Sequence, residues 1–202
     1  FEAYFSNFIE GTEFSVEEAE DIVFNGVIPQ ERPDDAHDVL GTYRIVSDQA
    51  EMRKLPSDVD EFLTLLRRRH AAIMEARPDK NPGVFKTMTN RAGNTVFVAM
   101  LLVSEVHPFA DGNGRAARIM MNAELVAGGQ ERIIIPTSYR TDYLGALKAL
   151  SNNSHTTPLI RMLDYAQQYT HAIDWRDLDG ARRVLEQTGA FAEGEDAKLR
   201  LP

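Results

Sequence analysis

Cysteine is absent from this chain of 202 residues. That excludes a disulfide framework and any zinc site built on thiolates. It fits a reducing compartment, and a cytoplasmic location is expected. Long apolar runs are missing as well, so no segment is predicted to span a bilayer. No basic start followed by an apolar stretch marks a signal peptide, and no membrane partner is expected. Positive charge is scarce: 22 Lys and Arg face 31 Asp and Glu, for a net charge of -9. Nucleic-acid surfaces need the opposite balance, so none is expected through this domain. The average still allows a local basic pocket. Internal repeats and low-complexity segments are also lacking. What remains, at 43% apolar and 26% charged residues, is the composition of a folded domain with a sizeable core.

The apolar spacing is mostly helical. Phe1, Tyr4, Phe5, Phe8 and Ile9 share one helix face, which stops near Gly11. Ser15 and Glu18 have the spacing of a capping box, and Asn25-Gly26 ends the helix they start. The stretch IPQERPDDAHD reads as a polar loop. Helices follow around 38–51 and 57–76, then the breaker cluster RPDKNPG. Val84-Phe85 and Val96-Phe97-Val98 flank a polar turn and predict a β-hairpin. Residues 99–106 predict a buried helix, 116–126 a further one, and Ile133 to Pro136 a short extended run. Helices at 141–150 and 159–170 precede a short terminal helix and a polar tail. The organisation expected is an N-terminal helical segment (1–26), a core (27–175) and a C-terminal helix with tail (176–202).

One stretch concentrates chemistry: His107-Pro108-Phe109-Ala110-Asp111-Gly112-Asn113-Gly114-Arg115-Ala116-Ala117-Arg118. The glycines let backbone N–H groups converge on a bulky anion, and a helix beginning there adds its own N–H groups and dipole. Arg115 and Arg118, three apart, suit phosphate oxygens. Asp111 would repel a bare phosphate, but beside Mg²⁺ it becomes a bridge to one. His107 supplies an imidazole able to take a proton from a hydroxyl. Each feature alone has a plainer reading: a turn, a satisfied core histidine, a solvated basic face. Together they are the parts needed to move a phosphorus-containing group onto a hydroxyl.

The stretch resembles the Fic signature, His-Pro-Phe-x-[Asp/Glu]-Gly-Asn-Gly-Arg-x-x-Arg, at every defined position. The resemblance implies a mostly α fold: a Fic helical core with a β-hairpin flap. It implies a nucleotidyltransferase that moves AMP from ATP to a Ser, Thr or Tyr hydroxyl of a target protein, with diphosphate leaving. His107 would be the catalytic base and Asp111 the Mg²⁺ ligand. Gly112, Asn113, Gly114, Arg115, Ala116, Ala117 and Arg118 would form the nucleotide-binding run. Phe109 would anchor the loop from within. Pro82 to Thr87 looks like the start of the family's flap, with Phe85, Lys86 and Thr87 docking the target by strand pairing. Arg140 to Ser151 resembles the helix beside the adenine, with Tyr143 as ring contact.

Ser6-Asn7-Phe8-Ile9-Glu10-Gly11 fits the family's inhibitory pattern, [Ser/Thr]-x-x-x-Glu-[Gly/Asn]. Glu10 is expected to pair with Arg118, which would otherwise hold the γ-phosphate, so the class implied has an N-terminal inhibitory helix. The chain departs from the family in one place. A helical segment normally separates flap and signature helix, whereas Val98 here runs straight into Ala99. The partners expected are ATP, a protein target and the chain itself as acceptor, with homo-oligomerisation open. Three other readings share the site: transfer of another nucleotide or a phosphocholine, removal of AMP, and an ATP-sensing module without catalysis.

Overall fold

A computed structural model describes residues 1–86, 99–194 and 197–202. Those residues fall into two compact units, Phe1–Gln130 and Glu131–Pro202, a division other than the one expected. The first contains α1 (Glu2–Ile9), α2 (Val16–Glu20), α3 (Pro33–Ser47), α4 (Gln49–Met52), α5 (Val59–Ile73), α6 (Ala99–Val106) and α7 (Asn113–Ala127). The second contains α8 (Arg140–Asn153), α9 (Thr157–His171) and α10 (Leu178–Gln187). No strand occurs among the described residues. The predicted β-hairpin lies largely outside them, and its described beginning, residues 84–86, is irregular chain.

Local chemistry explains the boundaries. The Ser15–Glu18 capping box closes with Glu18 N–H to Ser15 Oγ at 3.2 Å and Ser15 N–H to Glu18 Oε2 at 2.7 Å. Helix α2 then widens into a π-turn over Asp21–Asn25, which Gly26 ends in the left-handed region at φ 68°. Helix α3 starts at Pro33, earlier than the polar loop reading placed it. Proline at the first helical position loses no hydrogen bond, and Asp34 and Asp35 complement the helix dipole, so the end of the stretch read as a polar loop is a helix start. Asp58 caps α5 by accepting from Glu61 N–H at 2.8 Å. Ile133 to Ile135 are buried without strand pairing.

Helix α7 is the axle of the first unit, packed by α6, α5, α4, α1 and α3. Residues 115 to 123 are all buried. A helix enclosed on every side lets few of its side chains reach solvent, and this decides which signature residues are available for chemistry. A satellite core of Phe14, Ile22, Ala36 and Val39 holds α2 and its π-turn against α3. Among the described residues, no helix is long and apolar enough to cross a membrane.

Candidate active site

The signature folds as a loop that runs into the start of α7. Asn113 closes the loop: its Oδ1 accepts Phe109 N–H at 2.9 Å and its Nδ2 donates to Phe109 C=O at 3.0 Å. Its amide is therefore used by the loop itself. Gly112 sits at φ 71°, and a Cβ there would lie 2.8 Å from Met74 Sδ and 3.3 Å from His70 Nε2. Conformation and space both require glycine. The first intrahelical bond runs from Ala116 N–H to Gly112 C=O at 3.0 Å. Helix geometry leaves the N–H groups of Asn113, Gly114 and Arg115 without a carbonyl from a preceding turn. These groups and the positive dipole end form an anion-binding mouth.

Asp111 is half-buried at this mouth, and its Oδ1 accepts Gly112 N–H at 2.7 Å. Among the described residues its carboxylate meets no cation. An acid without a cationic partner beside an anion mouth fits a hard divalent ion such as Mg²⁺. His107 lies just past α6, with its N–H donating to Val103 C=O at 3.0 Å. It is exposed, and its φ of 45° is unusual for a residue with a Cβ. The left-handed region costs a non-glycine residue about 1–2 kcal/mol. Histidine at a position that glycine would fill more cheaply points to use of the side chain.

The two arginines diverge. Arg118 is held by α1: Nε donates to Ser6 Oγ at 3.0 Å, and Nη2 donates to Ser6 C=O and to Glu10 Oε1, each at 2.7 Å. The Glu10 side chain is 35% exposed and that of Arg118 only 6%. The carboxylate lies so close to Gly114 that a Cβ on residue 114 would overlap Glu10 Oε1. Arg115, expected in the nucleotide-binding run, is instead 3% exposed. Its Nη1 meets Asp38 Oδ2 at 3.0 Å and Asn7 Oδ1 at 3.2 Å, and its Nη2 contacts Met74 Sδ. Asp38 also accepts from Arg77 Nε at 2.8 Å. Burial pushes the Asp38 carboxyl up, against the opposing pull of both guanidinium groups. Ala116 and Ala117 are wholly buried and belong to the packing surface of α7 rather than to a ligand surface.

Other expectations are placed as follows. Phe109 is 1% exposed, the anchor it was read to be. Phe85 packs on it with ring centroids 5.1 Å apart, and Lys86 N–H donates to Pro108 C=O at 2.7 Å. Thr87 lies outside the described residues. Tyr143, in the second unit, is 1% exposed and is a core ring there. A separate cleft of about 550 Å³ in that unit is lined by Tyr139, Asp142, Arg161 and Tyr165 among others.

The residue that sequence reasoning missed is His70. It is completely buried in the last turn of α5, stacked flat on Phe109 at 3.6 Å between centroids. Its Nδ1 accepts Gly83 N–H at 2.9 Å and its Nε2 lies 2.9 Å from Asp111 C=O. Burial holds its pKa below the ordinary histidine value. Its partners are 13 and 41 residues away in the chain, so no local pattern announces them.

Comparisons with known proteins bear on this site. Residues 21–125 match the profile of the Fic/DOC family. Protein adenylyltransferase Fic of Drosophila persimilis is 34% identical over 100 residues, covering 48% of this chain and 20% of that protein. The Drosophila melanogaster protein of the same name is 31% identical over 112 residues, covering 54% and 23%. The chain thus spans about a fifth of these relatives. Among solved structures, Fic-1 (residues 134–508) from C. elegans superposes with TM-score 0.65 at 20% identity, over 82% of this chain and 59% of that one. A Fic domain containing signaling protein from Bacteroides thetaiotaomicron gives TM-score 0.61 at 16% identity, over 82% and 80%. This chain belongs to the Fic/DOC family.

Proposed function

We propose that this chain is a protein adenylyltransferase, moving AMP from ATP to a side-chain hydroxyl of a target protein, and that Glu10 holds it in check. The reading rests on one juxtaposition: an anion-binding mouth at the start of α7 whose arginine, Arg118, is already occupied by Glu10 at 2.7 Å. The curated relatives carry the adenylyltransferase name, which supports the same reaction class.

In this reading the triphosphate lies across the N–H groups of Asn113, Gly114 and Arg115, and Arg118 takes its terminal phosphate once Glu10 has left. His107 accepts the proton of the incoming hydroxyl as its oxygen bonds to the α-phosphorus. The bond from that phosphorus to the bridging oxygen breaks, and diphosphate departs. Asp111 would hold Mg²⁺, which supplies charge neutralisation on the phosphates. The mouth stabilises the charge that builds on the α-phosphoryl oxygens. Residues 84–86, with Lys86 N–H tied to Pro108 C=O, would help to hold the target chain beside the base. The acceptor hydroxyl is that of a Ser, Thr or Tyr, on another protein or on a second copy of the chain.

The test is direct. Wild type, Glu10→Gly and His107→Ala are incubated with ATP and Mg²⁺, and intact mass is read for one added AMP on the chain or on a supplied acceptor. Signal is expected to rise in Glu10→Gly and to vanish in His107→Ala. A Glu10→Gly protein that binds ATP yet modifies nothing across a panel of acceptor lysates and donors sinks the reading. Loss of AMP from a modified target with wild type, but not with Glu10→Gly, would reassign Glu10 to water activation.

A further inference from the structure

His70 lies outside the signature, yet it touches three parts of the machinery with one ring. An amide N–H can only donate, so the ring nitrogen that receives Gly83 N–H, Nδ1, carries no proton. A carbonyl can only accept, so the nitrogen 2.9 Å from Asp111 C=O, Nε2, carries one. The tautomer is thereby set by two backbone groups from different segments. The face of the ring lies parallel to Phe109, with an interplanar angle of 2°. Its Nε2 and Met74 Sδ form the floor beneath Gly112, where even a methyl group would not fit.

Each contact bears on a different task. The bond to Asp111 C=O orients the peptide that precedes Gly112 and so aims the carboxylate at the mouth. The stack on Phe109 seats the loop that Asn113 closes. The bond from Gly83 N–H, joined by Arg67 Nε donating to Gly83 C=O at 3.1 Å, fixes the segment whose Lys86 N–H pairs with Pro108. The ring links the anion mouth to the chain that leads toward the target-docking region.

We infer that His70 is a positioning residue for the transfer, holding the Asp111–Gly112 turn and the Gly83–Lys86 segment in one register through a fixed Nε2–H tautomer. The inference rests on the adenylyltransferase reading for its kinetic consequence, though its geometric content stands apart from it. A hydrophobic residue of similar size should preserve the core but lose the register. Glutamine, which offers a donor and an acceptor, should restore part of it.

The experiment uses Glu10→Gly as parent and adds His70→Leu or His70→Gln. Folding is checked by thermal melting, and kcat and KM for ATP are read from AMP incorporation. His70→Leu is expected to lower kcat at least about tenfold with a smaller change in KM, since misplacement of reacting groups by an ångström has costs of that order. His70→Gln is expected to recover several-fold of the loss. A folded His70→Leu within twofold of its parent overturns the inference, as do Leu and Gln variants that lose activity equally. If His70→Leu does not fold, ¹⁵N spectra of the wild-type imidazole decide: a bare Nδ1 and protonated Nε2 support it, and the opposite tautomer overturns it. If the Glu10→Gly parent gives no AMP adduct, the adenylyltransferase reading fails by itself. His70 is then judged on that spectrum alone, where a protonated Nδ1 refutes it.

Discussion

Arg115 and Arg118 stand one turn apart on α7, in one motif, and their surroundings could hardly differ more. Arg115 is enclosed by Asp38, Asn7 and Met74, with Asp38 itself 2% exposed. Arg118 is equally deep, but its charge partner, Glu10, is 35% exposed and comes from the end of a short helix. The first pair is part of the fold. The second is a contact whose outer half, Glu10, is partly open to solvent. Two identical letters in a signature thus serve different ends, and the exposure of the partner tells them apart.

The sharpest way to break this contrast is to remove Asp38. Asp38→Ala leaves Arg115 buried without its carboxylate and is expected to destabilise the protein by about 3–5 kcal/mol in chemical denaturation. A loss below 1 kcal/mol would mean that Arg115 is not held as described. Next is Gly112→Ala, where the left-handed backbone and the overlap with Met74 together should cost about 2–3 kcal/mol. Calorimetric melting measures it, and ATP binding should fall in parallel.

Acidification gives a smaller effect, read as melting temperature between pH 7.5 and 5.5. The pKa of His70 is lower in the folded state than in the unfolded chain. Its contribution is therefore complete above about pH 6.5 and lost as pH falls below that, by at most about 1.4 kcal/mol per unit. His70→Gln should flatten this slope. Smallest is Glu10→Gln, where a partly exposed pair should cost no more than about 1 kcal/mol in stability. AMP incorporation should nonetheless rise several-fold. A large stability loss in Glu10→Gln would place Glu10 with Arg115 in the fixed part of the molecule.

Much of the site was legible because the signature is contiguous. Loop, glycines and the first turns of the following helix lie within twelve residues, and local sterics dictate their shape. The Glu10–Arg118 pair was legible only through the resemblance, since 108 residues separate the partners. What stayed hidden depends on depth rather than on pattern. Nothing near Arg115 says that α3 will deliver Asp38 to it, and nothing near His70 announces Gly83 or Asp111. The start of α3 was misread for another reason: proline and acids were taken as loop formers, although they also open helices. Ala116 and Ala117 were grouped with the ligand run, but an encircled helix turns such positions inward.

The backbone at His107 sets two selection pressures against each other. Among all replacements there, glycine should be the one that raises cellular abundance, by relieving a left-handed conformation worth about 1 kcal/mol or more, while abolishing turnover. A library scored in parallel for expression and for catalysis should rank that single variant near the top of one scale and at the bottom of the other.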